Sequence, residues 1–69
     1  MKYLVVFEQG EQGQWGAYVP DLPGCTAVGT TKTEARELIA ESVRMWVETA
    51  RAKGWPVPAP NSSAIKIAV

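Results

Sequence analysis

The side chains of residues 2–9 (KYLVVFEQ) alternate between the two faces of a predicted strand. One face carries the bulkier apolar side chains, which are Tyr3, Val5 and Phe7. The opposite face carries Leu4 and Val6 and ends at Glu8. β-Branched and aromatic residues favour strands. Because both faces are largely apolar, we expect this strand to lie in the centre of a sheet.

Two more short strands are predicted before any helix begins. Residues 10–13 (GEQG) form a polar turn with glycine at each end, which is typical of a hairpin. The side chains of residues 14–19 (QWGAYV) also alternate, with Trp15, Ala17 and Val19 on one face of a second predicted strand and Gly16 and Tyr18 on the other. Residues 25–30 (CTAVGT) are a third candidate strand.

Residues 30–54 have the apolar spacing of one long amphipathic helix with both ends marked. Thr31 and Glu34 have the spacing of a capping box at the N-terminus, and Gly54 is suited to end the helix. One side of the helix is apolar, and its members are Ala35, Leu38, Ile39, Val43, Trp46 and Ala50. The opposite side is charged, and we expect it to be solvated.

The C-terminal part of the chain contains a connector and a last strand. Residues 55–60 (WPVPAP) cannot be helical because proline disfavours helical geometry in the residue before it. The stretch is interpreted as a stiff connector, although a polyproline ligand for an aromatic groove has the same pattern. Residues 62–69 (SSAIKIAV) alternate apolar and polar positions and predict a strand.

The resulting order, β-β-β-α-β, predicts an α+β fold in a single domain spanning residues 1–69. The right-handed crossover rule makes the last strand parallel to the strand before the helix. We expect it beside the central first strand, which gives a four-stranded mixed sheet with one helix on one face. The opposite face then has no element to cover it and is a predicted interaction surface.

The segment between the second and third strands concentrates proline and glycine. Pro20 and Pro23 each fix a backbone angle, and Pro23-Gly24 fits the central positions of a type II turn. Asp21 can accept hydrogen bonds from nearby backbone amides, and Gly29 suits a tight entry to the helix. These residues predict a structural corner.

A catalytic interpretation of the corner would use Cys25 as a nucleophile. The chain has no histidine, the usual general base, and no local spacing points to a lysine in that role. One cysteine without histidine also provides no ligand set for structural zinc. We therefore expect Cys25 to be a half-buried structural residue, and we predict no catalytic residues, metal site or cofactor.

Charge and hydropathy narrow the class of partner. The net charge is zero, so no general basic field attracts nucleic acid, and direct nucleic acid binding is not expected. The apolar run near the N-terminus is too short for a signal peptide, and no stretch approaches the roughly 20 apolar residues of a membrane span. We expect a soluble, cytoplasmic protein without membrane contact.

The corner and its surroundings resemble the HicB antitoxin family. The motif "PDLPGC" followed by "G-x-T-x-x-EA" is a specific combination. The matching positions are Tyr3, Phe7, Glu8, Gly13, Trp15, Val19 to Cys25, Gly29, Thr31, Glu34, Ala35 and Trp46. The usual second "EA" of the helix is "ES" here, at Glu41-Ser42. Many family members continue into a DNA-binding domain, whereas this sequence ends at Val69.

The resemblance implies a truncated ribonuclease H-like fold, so a nuclease has to be considered. Ribonuclease H-type chemistry holds two metal ions with carboxylates from the first strand, the helix and the fourth strand. Glu8 could supply the first carboxylate and a helix glutamate the second, but residues 62–69 contain no acid. The prediction is therefore a binding protein and not an enzyme.

By resemblance, the partner is a HicA-like toxin, a small RNA-cleaving protein that the chain would neutralise. The alternative is a stand-alone homo-oligomeric domain that binds another protein or a small ligand. In both cases we expect a homodimer or higher oligomer, because so small a core is marginal alone. We expect the association surface to be the uncovered face, lined by Tyr3, Val5, Phe7 and Trp15.

Overall fold

The computed structural model describes residues 1–69 and has an α+β architecture. Strands β1 (Val6–Gln9), β2 (Trp15–Tyr18) and β3 (Thr26–Gly29) form an antiparallel sheet in the order β1-β2-β3. Helix α1 (Lys32–Lys53) follows β3. The predicted α+β class, the three strands and the long helix are confirmed, with shorter strands than the sequence pattern suggested.

Strand β1 begins later than predicted because its partner strand ends. Val6 pairs with Tyr18 at the end of β2. The next N–H group, that of Val19, donates to the carbonyl of Cys25 at 3.1 Å, and Pro20 has no N–H to offer. The residues before Val6 therefore have no ladder partner, although their side chains still alternate.

Both ends of α1 are capped by the residues that mark them in the sequence. Thr31 is the N-cap, and its hydroxyl accepts from the Glu34 N–H at 3.1 Å. The Glu34 carboxylate accepts from the N–H of Thr30 at 2.9 Å, one residue earlier than in a standard capping box. Gly54 ends the helix with a φ of 72°, and the Trp55 N–H donates a hydrogen bond to the Ala50 carbonyl at 2.8 Å.

The core lies between α1 and the sheet, on the side of β2 and β3. Its main cluster of buried side chains comes from the helix, from β2 and from the corner (residues 19–25), and the members are Ala17, Val19, Leu22, Cys25 and Ile39. Leu22 and Ile39 are the largest of them. The corner therefore contributes directly to the core, which the turn residues alone did not predict.

The expectation that Tyr3, Val5, Phe7 and Trp15 line the uncovered face is wrong. Tyr3, Val5 and Phe7 pack against the core cluster. The Lys32 ammonium of α1 lies 5.3 Å from the ring centroid of Phe7 and 5.5 Å from that of Trp15, which places both rings on the helix side. The physical reason is the small volume of the neighbouring side chains in β2 and β3.

On the helix side, Phe7 lies opposite Ala17, and Ala17 lies opposite Ala27. Two small residues in one row leave space beneath a helix, and cores fill such space by alternating large and small side chains. The bulky side chains near the first strand are therefore drawn inward. The smaller set, with Leu4 and Val6, faces away from the helix.

The predicted fourth strand is not formed, and β1 is an edge strand instead of a central one. Residues 55–69 contain no helix or strand. Ile65 and Ile67 are 83 % and 76 % exposed. The radius of gyration is 13.2 Å, whereas a compact chain of this length has about 11 Å. A strand-like sequence thus lies outside the packed body.

Candidate partner-binding surface

The sheet face that points away from α1, here called the open face, is covered by no other element. Strand register and alternation place on it the side chains of Val6, Glu8, Tyr18, Thr26 and Val28, with Gly16 between them. Val28 is 67 % exposed and Tyr18 is 40 % exposed. Exposed apolar side chains gathered on one sheet face are a feature of protein interaction sites.

The open face combines apolar surface with one carboxylate, that of Glu8. At its hairpin end, Glu8, Gln14 and Val28 line a shallow groove. Gly16 pairs with Glu8 on one side and with Val28 on the other. Because it has no side chain, it leaves a depression in the open face between them. Such a surface can bury apolar groups of a partner while Glu8 accepts hydrogen bonds from a cationic side chain.

The corner is built from two successive turns. The Leu22 N–H donates to the Val19 carbonyl at 3.1 Å, and the Cys25 N–H donates to the Leu22 carbonyl at 3.1 Å. Pro23 and Gly24 occupy the central positions of the second turn, and the φ of 77° at Gly24 is that of a type II turn. The two turns direct the Leu22 side chain into the core.

Contacts from two other elements hold the corner in place. The Trp46 indole N–H of α1 donates to the Pro23 carbonyl at 3.0 Å. Asp21 holds the C-terminal segment: its Oδ2 accepts from the N–H groups of Asn61 and Ser62 at 3.0 Å, and its Oδ1 accepts from the Ser62 hydroxyl at 2.8 Å. Asp21 thus accepts from distant amides, and not from the nearby amides that the sequence suggested.

These hydrogen bonds change the acidity of Asp21. The Ser62 hydroxyl, followed by the Ser62 amide, lowers the pKa of the carboxyl below its ordinary value, and the Asn61 amide adds to the effect. Hydrogen bonds to a carboxylate favour its charged form. Asp21 is therefore an ionised anchor for the C-terminal segment at neutral pH.

Gly29 stands where β3 turns into the helix. A Cβ at this position would lie 2.7 Å from the Ala35 nitrogen, a distance that real Cβ atoms do not tolerate. The absence of a side chain lets the first turn of α1 approach the end of β3. This close approach is the tight helix entry that the sequence suggested for Gly29.

Cys25 is buried, and its burial raises the pKa of the thiol. A protonated, inaccessible thiol is a weak nucleophile. The structure contains no group of three or more His, Cys, Asp or Glu side chains placed to hold a metal ion. Helix α1 lacks the apolar length that a membrane-spanning helix needs.

Residues 3–68 match the sequence profile of the HicB-like antitoxin of bacterial toxin-antitoxin systems. The chain belongs to the HicB-like antitoxin family. The match includes the corner and the segment after the helix, so it extends beyond the residues that carried the resemblance in the sequence analysis.

Proteins similar to this HicB-like chain occur in archaea and cyanobacteria. A UPF0150 protein of Thermoplasma acidophilum is 36 % identical over 67 residues, which cover 97 % of each chain. A UPF0150 protein of Synechocystis is 36 % identical over 56 residues, covering 81 % of this chain and 71 % of the relative. A third, from Archaeoglobus fulgidus, is 33 % identical over 48 residues, covering 70 % of each.

Tyr18 and Val28 of this HicB-like chain were not predicted from the sequence as residues of the open face. The signal was present, because the alternation that puts Trp15 and Ala17 on one face of β2 puts Tyr18 on the other. The alternation did not predict which of the two faces of the sheet the helix covers.

Proposed function

We propose that this HicB-like protein is an antitoxin that binds a HicA-like, RNA-cleaving toxin through the open face and neutralises it. The observation that carries the proposal is a sheet face, exposed at Tyr18 and Val28, in a chain of the antitoxin family. The protein acts by occupying the toxin and not by catalysis. Its place of action is the cytoplasm, where the toxin meets RNA.

The chemistry of the open face suits this task. A protein that cleaves RNA presents cationic side chains to the phosphate backbone. An inhibitor need only cover that surface, with apolar contacts for affinity and a carboxylate for orientation. Val28 and Tyr18 provide the apolar contacts, and Glu8 provides the carboxylate. The zero net charge of the chain makes shape and apolar contact more important than long-range attraction.

We further propose that the protein acts as a homodimer or higher oligomer. The single helix covers only part of the sheet, and apolar side chains remain exposed both on the open face and after the helix. Small domains with so little buried surface commonly gain stability by association.

The test is a binding titration between the purified protein and a HicA-like toxin encoded beside it, made with a catalytically inactive toxin. Val28→Lys places a positive charge on the open face and should raise the Kd at least tenfold, which corresponds to about 1.4 kcal/mol. Met45→Lys is the matched control, because Met45 is an exposed apolar residue of α1. We expect the control to bind like the wild type.

Two results would contradict the proposal. The wild type could fail to bind any adjacent HicA-like toxin, which would remove the antitoxin role. Alternatively, Met45→Lys could abolish binding while Val28→Lys leaves it intact, which would move the binding surface to the helix.

A further inference from the structure

We infer that residues 63–69, the C-terminal arm, pair as a strand with the free edge of β1 in a second copy of this chain, each copy donating its arm to the other. The inference specifies the oligomer proposed above. It does not depend on toxin binding, because the arm and the outer edge of β1 lie away from Tyr18 and Val28, the exposed apolar residues of the open face; Glu8 is the one residue that both interactions use.

The arm has the character of a strand but no partner within its own chain. Ile65, Ile67 and Val69 alternate with Lys66 and Ala68, a period that places the three branched residues on one side. All three are exposed. No residue of the arm makes a hydrogen bond to the rest of the chain. A row of branched apolar side chains on a backbone without hydrogen-bond partners is suited to pair with the free edge of a sheet.

The outer edge of β1 is the place that can receive a strand. Helix α1 packs over β2 and β3 and hardly reaches β1, so a groove remains between the helix and the beginning of the chain. The apolar part of this groove is formed by Met1, Tyr3, Val43 and Val47, and charged side chains of α1 form its rim. Further along the chain from Met1 and Tyr3, the outer edge of β1 pairs with no strand.

The outer edge of β3 is less suited to receive the arm. At that strand the Ser42 hydroxyl of α1 donates to the Thr26 carbonyl at 3.4 Å. The helix N-terminus also closes on the end of β3, where Gly29 meets Ala35. A strand arriving at β3 would therefore meet the helix, whereas a strand arriving at β1 meets open backbone.

The arm and the β1 edge complement each other in length and chemistry. Residues 63–69 can run the length of residues 3–9 at about 3.3 Å per residue. In the register that sends Ile65 and Ile67 into the groove, Lys66 projects to the open-face side of the sheet, where Glu8 is the acidic residue of β1. The apolar row is then buried, and the one charged residue of the arm meets an opposite charge.

A second copy is the better donor because of where the arm is anchored. Asp21 holds Asn61 and Ser62 just beyond the end of β2, the middle strand. From the middle strand to a position outside β1 is two strand spacings, about 10 Å. An arm that closed on its own sheet would use roughly three of its residues in that crossing. An arm from a neighbouring copy can use its full length.

Sedimentation equilibrium on the full chain tests the association. We expect a dimer for the wild type and at least a tenfold higher dissociation constant for Ile67→Lys. Ile67 is 76 % exposed, so the variant should retain the wild-type circular dichroism spectrum. Val28→Lys is the matched control on the open face and should dimerise normally. A monomeric wild type, or dissociation by Val28→Lys but not by Ile67→Lys, would overturn the inference.

Carbodiimide cross-linking of nitrogen-15-labelled and unlabelled protein, unfolded together and refolded as a mixture, tests the exchange itself. We expect a Lys66–Glu8 cross-linked peptide that contains one labelled and one unlabelled half. Cross-linked peptides with both halves always of one isotope would show that the arm closes on its own sheet, and would refute the exchange. Ile67→Lys should still bind the toxin, so failure of the arm exchange and failure of the antitoxin role give different results.

Discussion

The corner and the C-terminal segment (residues 55–69) are both rich in proline and apolar side chains, yet they end in opposite environments. In the corner, Leu22 is 0 % exposed and Cys25 is buried beside it. In the C-terminal segment, Ile65 and Ile67 are almost fully exposed. Proline content and hydrophobicity therefore do not decide burial in this protein.

The difference lies in how each segment satisfies its backbone. The corner closes its own hydrogen bonds through two turns, so it can enter the core without leaving polar groups unpaired. Beyond Trp55, whose N–H donates to the Ala50 carbonyl, the C-terminal segment has no local hydrogen bonds. It is held through Asp21 and by the Tyr3 hydroxyl, which donates to the Pro58 carbonyl. A segment of this kind needs a strand partner before it can bury its side chains.

The largest expected effect is that of Leu22→Ala in the corner. Removing a fully buried leucine side chain leaves a cavity and lowers the free energy of unfolding by about 2–5 kcal/mol. Small domains have only about 5–15 kcal/mol in total, so much of the stability should disappear. Urea denaturation followed by circular dichroism measures the change.

Ile67→Ala in the C-terminal segment is the control for that comparison. At a protein concentration low enough to keep the chain monomeric, it should change the free energy of unfolding by less than about 0.5 kcal/mol. Equal losses for the two variants would show that the C-terminal segment is part of the core and would break the comparison.

Gly29→Ala is the next effect in size, and it tests the packing of α1 onto the sheet. The new Cβ would collide with the backbone of Ala35, so the helix would have to shift. We expect a loss of about 1–3 kcal/mol in the free energy of unfolding. Gly16→Ala is the control, because its Cβ would come no closer than 3.8 Å to the Glu8 carbonyl oxygen. Equal stability of the two variants would contradict the close approach at Gly29.

Thr31→Ala should have a smaller effect. It removes the hydroxyl that accepts from the Glu34 N–H and should lower the free energy of unfolding by about 1 kcal/mol. Thermal unfolding of this variant beside Thr33→Ala, an exposed helix position without a capping role, gives the comparison. A Thr33→Ala loss as large as that of Thr31→Ala would argue against the cap.

Asp21→Asn should affect the C-terminal segment and leave the corner intact. The neutral amide is a weaker acceptor, so the amides of Asn61 and Ser62 should exchange faster with solvent, while the Cys25 amide keeps its turn hydrogen bond. Amide exchange followed by NMR measures both. Faster exchange throughout the corner would show that Asp21 also holds the corner together.

The same anchor predicts a pH dependence. Because the folded state lowers the pKa of Asp21, the anchor contributes fully above the ordinary aspartate value of about 3.9 and is lost as the pH falls through the lowered pKa. The amide resonances of Asn61 and Ser62 should therefore shift together in acid. A midpoint at or above pH 3.9 would contradict the anchor.

The sequence alone determined the features that depend on neighbouring residues. The capping of α1 by Thr31, the turn at Pro23-Gly24 and the alternation of the strands follow from local geometry and are present in the structure. The family was also recognisable from a motif in which those local features lie close together, and the match over residues 3–68 confirms it.

The tertiary structure decided which face of the sheet the helix covers and whether the last strand forms. The choice of face depends on the volumes that β2 and β3 contribute, since Ala17 and Ala27 leave room for Phe7 beneath the helix. The last strand depends on a partner edge, which no local pattern supplies. Alternation gives a strand two faces. The volumes of the neighbouring side chains decide which face is buried, and a free sheet edge decides whether the strand forms at all.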